Sequence, residues 1–268
     1  MRIEHCRTLV TGASGGIGAC LAMALAKRGA KLMLVGRRIA ALQKIQQEIS
    51  QETGVTPLIY AVDLTDNGSR EELVSELQRT MGGVDLLINN AGVVDFTEFS
   101  EQDPAMVEQI YRTNLTAPVL LTRALLPGML EQQSGSVVNI GSVFGSIGFA
   151  YFTAYSSSKF ALRGFSEALR REIKGSGVEV QYIAPRATRT GANSDAVYQM
   201  AKATKMQMDP PEQVAEAIVK AIIKGKANAY LGFPESLFVR INSLFPTLVD
   251  AALRKQNQIM ARFVAKHS

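Results

Sequence analysis

Short apolar runs, many of them β-branched, alternate along this chain with amphipathic helical stretches, and that alternation limits the fold more than any other feature. The strand candidates are Arg7–Val10, Lys31–Val35, Leu58–Val62, Val84–Ile88, Ser136–Ile140, Val178–Ile183 and Ala229–Leu231. Between them lie helical patterns such as Ile17–Arg28, Ala40–Gln51, Ser69–Met81 and Glu212–Lys224. Alternating β and α units of this size predict a parallel sheet covered by helices on both faces. Right-handed crossovers then make a doubly wound sheet the economical topology, so the expected class is α/β in one domain. Ligands of such sheets bind outside the carboxyl ends of the strands, so chemistry is expected in the loops that follow them.

A length of 268 residues suits one domain of this kind. The net charge of +5 is compatible with nucleic acid, a membrane surface or a phosphorylated small molecule. No dense Lys/Arg block occurs, so no nucleic-acid partner is expected. No apolar run approaches the roughly 18 residues of a spanning helix, and the N-terminus runs straight into a strand and a glycine loop without a signal core. Cys6 and Cys20 fall in the first strand and first helix, where buried free thiols are expected. Two such thiols suit a reducing cytoplasm better than a disulfide framework, so the expected location is cytoplasmic. No metal site is expected. The segment Arg186–Asp209 reads as the main irregular stretch.

After the first strand comes Thr11-Gly12-Ala13-Ser14-Gly15-Gly16-Ile17-Gly18, leading into a helix. Gly12, Gly16 and Gly18 permit a tight turn and close approach of backbone to a pyrophosphate. The helix start supplies unpaired N–H groups and a positive dipole end. The spacing is GxxxGxG, so the dinucleotide fingerprint is matched in mechanics and not letter by letter. An NAD site wants an acid about 20 residues past the glycines, on the ribose 2′-hydroxyl. Here Gly36 occupies that place and Arg37 and Arg38 follow, which favours NADP(H), because a guanidinium pairs with a 2′-phosphate. Asp63 closes the third strand, placed to meet the adenine ring. Asn89-Asn90-Ala91-Gly92 ends the fourth, bringing Asn90, Ala91 and Gly92 to the same carboxyl edge.

Tyr155-Ser156-Ser157-Ser158-Lys159 puts a phenol and an ammonium at i and i+4 on one helix face. A free tyrosine, with a pKa of about 10, exchanges protons poorly at neutral pH. A nearby cation is expected to lower that value, fitting Tyr155 to give a proton to a carbonyl or take one back. Ser142 follows the fifth strand and could hold the substrate oxygen against the tyrosine. Asn114 could hold a water linking Lys159 to solvent. Singly, each has a plain structural reading; in this order together they do not.

This combination resembles the short-chain dehydrogenase/reductase family, in its branch of short, simple subunits. TGxxxGIG at Thr11–Gly18, NNAG at Asn89–Gly92, Asn114, Ser142 and YxxxK at Tyr155–Lys159 match in order and spacing, and the resemblance runs from about Arg7 to Gly232. It implies a Rossmann-type seven-stranded sheet, with Tyr155 as acid/base and Lys159 also on the nicotinamide ribose. Ser142 would position the carbonyl, and Asn114 would complete the proton relay. It further implies cofactor contacts from Ser14, Ile17, Leu64, Pro185, Thr188 and Thr190. The implied assembly is a homodimer or homotetramer formed through the helices that carry Asn114 and Tyr155. The implied reaction is NADPH-dependent reduction of a small-molecule ketone or aldehyde, reversible to the alcohol. Tyr198, Met200, Met206 and Met208 in the lid lean the substrate toward a hydrophobic or acyl-type compound. The alternative is a non-catalytic NADP(H) sensor or scaffold, but such chains tend to lose the tyrosine or lysine retained here.

Two features depart from the pattern. The family has Pro-Gly after the sixth strand, whereas this chain has Pro185-Arg186; Arg186 could narrow the site, contact an acidic substrate or face solvent. Residues 1–232 form the expected catalytic domain, and Phe233–Ser268 extends past it. That tail holds Arg240, Arg254, Lys255, Arg262 and Lys266 against Glu235 and Asp250, hence +3. Pro246 is expected to separate a helix around Ser236–Leu244 from a second one. These helices either cover the cleft or a subunit contact, or form a basic amphipathic surface that touches anionic lipid.

Overall fold

A computed structural model describes residues 1–264. Seven parallel strands form one sheet in the order β3-β2-β1-β4-β5-β6-β7. They are β1 (Arg7–Thr11), β2 (Lys31–Gly36), β3 (Leu58–Ala61), β4 (Leu86–Asn89), β5 (Gly135–Ile140), β6 (Val178–Ala184) and β7 (Asn228–Tyr230). The helices are α1 (Gly16–Ala26), α2 (Ile39–Thr53), α3 (Asn67–Met81), α4 (Pro104–Tyr111), α5 (Ala117–Glu131), α6 (Thr153–Glu172), α7 (Asp195–Ala203), α8 (Pro211–Ile223), α9 (Glu235–Leu244) and α10 (Pro246–Met260). The strand order reverses between β1 and β4, which opens a crevice at the carboxyl edge for a ligand.

The core follows from the two-residue period of buried strands. Leu9, Met33, Leu87 and Val137 point to one face, where they pack with Leu73, Leu121 and Leu169. Their chain neighbours Val10, Leu34, Ile88 and Val138 point to the other, against Leu21, Leu25 and Ile218. Helix ends obey local chemistry. Asp66 caps α3 by accepting from Ser69 N at 2.7 Å, and α2 and α3 stop at the left-handed glycines Gly54 and Gly82.

Each strand and helix read from the sequence is present within two residues at either end. Three expectations need correction. The stretch 186–209 is not wholly irregular: Ser194 caps α7 there. Asp63 does not close β3; it stands exposed two residues beyond. Cys6 is buried just ahead of β1, its thiol pushed up to about 11 by burial, whereas Cys20 in α1 is only half-buried. The tail divides at Pro246 as expected, and Lys266 lies outside the described residues.

Candidate active site

The glycine loop between β1 and α1 is shaped by close approaches that no side chain would survive. Gly12 sits at φ +65°, and a Cβ there would fall 2.7 Å from Ala91 Cα. A Cβ on Gly18 would fall 2.2 Å from the Gly12 carbonyl oxygen, so this glycine lets α1 lie against the loop. No side chain caps the first turn of α1 and no acid stands in it, leaving its N–H groups and dipole for an anion. The cradle therefore fits a pyrophosphate. Thr11 Oγ1 stitches the next strand to the loop, accepting from Asn90 N at 2.9 Å and Ala91 N at 3.1 Å. Asn90 Nδ2 donates back to Thr11 O (3.0 Å) and Gly12 O (3.2 Å).

At the end of β2, Arg37 and Arg38 are exposed. Arg38 donates to Ser14 O at 3.2 Å, and Arg37 has no hydrogen-bond or ion-pair partner among the described residues. A Cβ on Gly36 would press on Ser14 at 3.1 Å, so this position keeps β2 close to the loop as well as lacking an acid. Asp63 Oδ1 accepts from Thr65 N and Oγ1, and Leu64 is half-buried beside it. Across the crevice, Thr190 lies against Gly16, Thr188 Oγ1 donates to Arg186 O at 3.0 Å, and Pro185 O accepts from Val143 N. Ser14, Gly16, Ile17, Asn90, Ala91, Gly92 and the loop after β6 therefore border one crevice, with Arg37, Arg38, Asp63 and Leu64 at the ends of β2 and β3.

The four polar residues of the expected reaction centre come from four elements. Asn114 is buried in a π-helical turn, Arg112–Thr116, where α4 passes into α5. Such turns often mark functional positions in helices. Its Oδ1 accepts from Val93 N at 2.8 Å, and its Nδ2 donates to Val93 O (2.9 Å) and Ser158 Oγ (3.1 Å). Gly92 lies between this amide and the lysine: a Cβ there would stand 3.2 Å from Asn114 Oδ1 and 3.7 Å from Lys159 Nζ. Ser142 ends the loop after β5; its Oγ accepts from Phe144 N at 3.1 Å, and its hydroxyl turns toward the Tyr155 oxygen. Lys159 is buried; its Nζ donates to Ile140 O at 3.0 Å and stands 5.9 Å from the centre of the Tyr155 ring.

The electrostatics differ from the expectation on one point. The Tyr155 hydroxyl is held above the ordinary tyrosine value, because burial outweighs the hydrogen bond of Ser142, which pulls it down. Lys159 does not lower it: the ammonium faces the ring and the Ile140 carbonyl, and burial brings Lys159 itself down to about 8. Tyr155 is thus protonated at neutral pH.

Tyr182 escaped the sequence reading. It is fully buried on β6, donates to Ser142 O (3.2 Å) and accepts from Ser142 N (3.3 Å). Its ring fills the space that Cβ atoms on Gly141 and Gly145 would need. The only hint was a tyrosine in a strand too apolar to leave its hydroxyl unpaired.

Arg186 neither faces solvent nor stands free for an acidic substrate. Its side chain is 15% exposed and forms a bidentate pair with Asp209 at 2.8 and 2.7 Å. It also reaches Glu235 (3.2 Å), Gln207 (2.8 Å) and Phe233 O (3.2 Å), tying both ends of the lid to the start of the tail. Beside Tyr155 the wall is aromatic: Phe144 stacks on Phe149 at 4.2 Å, and Phe96 on Phe152 at 4.9 Å. Met200, Met206 and Met260 join that cluster, so α7 and α10 both cover the site. Tyr198 and Met208 do not; Tyr198 donates to Thr190 O instead.

Known proteins match both the sequence and the geometry. Ketoacyl reductase HetN of Nostoc sp. is 34% identical over 254 residues, covering 92% of this chain and 87% of that protein. The 3-ketodihydrosphingosine reductase of Bos taurus is 34% identical over 241 residues, covering 87% of this chain and 73% of the other. Among solved structures, a short-chain dehydrogenase from Sphingobium yanoikuyae in complex with NADPH superimposes with a TM-score of 0.78 at 27% identity, over 91% of this chain and 95% of that one. Residues 7–201 match the short chain dehydrogenase family, and the chain belongs to it.

Proposed function

We propose that this oxidoreductase reduces a ketone or aldehyde with NADPH, and that its substrate is a hydrophobic or acyl-type carbonyl compound. The observation that carries the reading is the meeting of Ser142, Tyr155 and Lys159 beside an aromatic wall at the carboxyl edge of the sheet. The residues fit a dinucleotide, as the glycine cradle and the uncapped α1 indicate. When bound, that group supplies the hydride; the remaining work belongs to the chain. Ser142 turns its hydroxyl proton from the Tyr155 oxygen to the carbonyl oxygen and holds that oxygen beside Tyr155. Tyr155, kept protonated by burial, gives its phenolic proton to the same oxygen as negative charge develops. Lys159 holds a positive charge below Tyr155, and Asn114, across Gly92, positions a water through which the proton is replaced.

NADPH over NADH is supported by Arg37, free at the end of β2, and by the absence of an acid at Gly36. The acyl-type reading is supported by the cluster of Phe144, Phe149, Met200, Met206 and Met260, and by the names of the two matched reductases. Residues 1–232 would be the catalytic domain and 233–268 the extension that roofs it. A homodimer or homotetramer would use α4, α5 and α6, where Tyr111 and Phe160 are exposed. The reading is tested by assaying ketones and aldehydes of increasing chain length with NADPH and NADH. Turnover with NADPH that improves with apolar length supports it. Tight NADPH binding without turnover of any carbonyl would favour the sensor alternative.

A further inference from the structure

Six of the fourteen large apolar side chains that stand exposed among the described residues fall between positions 233 and 248. Phe233 and Leu244 are each 73% exposed, Leu248 62% and Phe245 60%, with Leu237 and Phe238 close to half. Large apolar side chains exposed at this density along one segment mark a contact with something.

These residues are not a core face waiting to close. The opposite sides of the same helices are already committed: Val239 and Val249 are buried against Val143 and Ile147, and Asn242 donates to Ser146 O at 2.9 Å. Both helices are thus pinned beside Ser142 with their outer sides turned away. Arg240 is three residues after Leu237 and four before Leu244, so it shares their face; Lys255 is seven after Leu248 and shares that one. Both cations are exposed, and Arg254 beside Lys255 is too. Of the acids here, Glu235 is taken by Arg186, which leaves Asp250. An outer face of Phe and Leu flanked by unpaired cations is complementary to a surface with an apolar interior and an anionic rim.

We propose that the outer face of α9 and α10 seats on an anionic lipid surface, with the Leu244–Leu248 corner inserted and Arg240 and Lys255 at the headgroups. The binding is reversible, since the apolar face is short, and it weakens with salt. It stands apart from the assigned reaction and is read without turnover.

The experiment is co-sedimentation of the full chain with vesicles of phosphatidylcholine alone and of phosphatidylcholine with phosphatidylserine. The full chain is expected to pellet with the anionic vesicles at low salt and to be released at high salt. The triple variant Leu244→Ser/Phe245→Ser/Leu248→Ser, altered only at exposed positions, is expected to lose at least about tenfold in partition while keeping the parent's unfolding curve. Arg240→Gln/Lys255→Gln is expected to lose the preference for anionic vesicles. Parent protein that stays in the supernatant with both vesicles overturns the proposal, as does a triple variant that pellets as well as the parent. Sedimentation velocity separates the competing occupant: if the triple variant dissociates an oligomer and the parent ignores vesicles, a second copy covers this face.

Discussion

Lys159 stands 5.9 Å from the centre of the Tyr155 ring, while its hydrogen bond goes to the Ile140 carbonyl at 3.0 Å. The chain thus keeps a buried ammonium with a single neutral acceptor, and burial lowers its pKa to about 8. In the unfolded chain the same lysine titrates at about 10.4. Between those values the unfolded chain binds a proton that the folded chain does not, so this group's contribution to stability rises with pH across that window. Below pH 8 both states are protonated and the cost of burying the charge is carried in full. Lys159→Met is therefore expected to be more stable than the parent at pH 7, by about 1–3 kcal/mol once the lost bond to Ile140 is counted. The advantage should shrink toward pH 10. Urea unfolding of both proteins across this range is the measurement, and a gap that does not change with pH contradicts the account.

The proposed preference for NADPH rests on Arg37, exposed and without a partner among the described residues. Arg37→Ala is expected to weaken NADPH by about tenfold or more and leave NADH nearly unchanged, as loss of a charge-assisted bond to the 2′-phosphate requires. Adding Gly36→Asp should favour NADH further only if Ser14 yields, because the new Cβ meets it at 3.1 Å. Dissociation constants for both cofactors decide this, and equal affinities in the parent refute the assignment.

Arg186→Gly restores the family's residue at a cost in this chain. Asp209 and Glu235 lose their common partner, so stability is expected to fall by about 1–3 kcal/mol. Cleavage within 187–209 by a dilute protease should speed up, and KM for the carbonyl should rise more than kcat falls. An unchanged cleavage rate would show that the clamp does not hold the lid.

Tyr182→Phe removes the hydroxyl that brackets the Ser142 backbone. The ring still fills its place, so the variant should fold, bind NADPH as the parent does, and lose about tenfold in kcat through misplacement of Ser142. Gly141→Ala is the harsher version, since its Cβ would fall 2.1 Å from the Tyr182 ring and should prevent native packing. A Tyr182→Phe enzyme with the parent's kcat would remove Tyr182 from the positioning machinery.

The central strands were legible in the sequence because they are buried apolar runs, and the glycine loop because Gly12 and Gly18 have no steric substitute. Ser142, Tyr155 and Lys159 were legible because a strand end and an i, i+4 helix pair are local patterns. What was hidden depends on partners distant in the chain. Arg186 meets Asp209 and Glu235, 23 and 49 positions away, and nothing near it in sequence announces either. Tyr182 supports Ser142 across 40 positions, through space cleared by two glycines. The Tyr155 acidity was misjudged for a related reason: the i, i+4 spacing gives the lysine's place but not that its proton goes to Ile140. The sequence offered a covering tail and a basic amphipathic tail as alternatives; only the structure separates the buried Val239 and Val249 from the exposed Leu244 and Leu248.

The central claim is that the Tyr155 phenol delivers the proton to the substrate oxygen, and Tyr155→Phe tests it most directly. The side chain keeps its ring, so its contact with Phe144 and the covering of the site should survive. Using the best carbonyl substrate from the chain-length series, NADPH affinity is expected to stay within about twofold of the parent while kcat falls by about 10²–10⁴. Turnover by Tyr155→Phe at a rate near the parent's would contradict the mechanism.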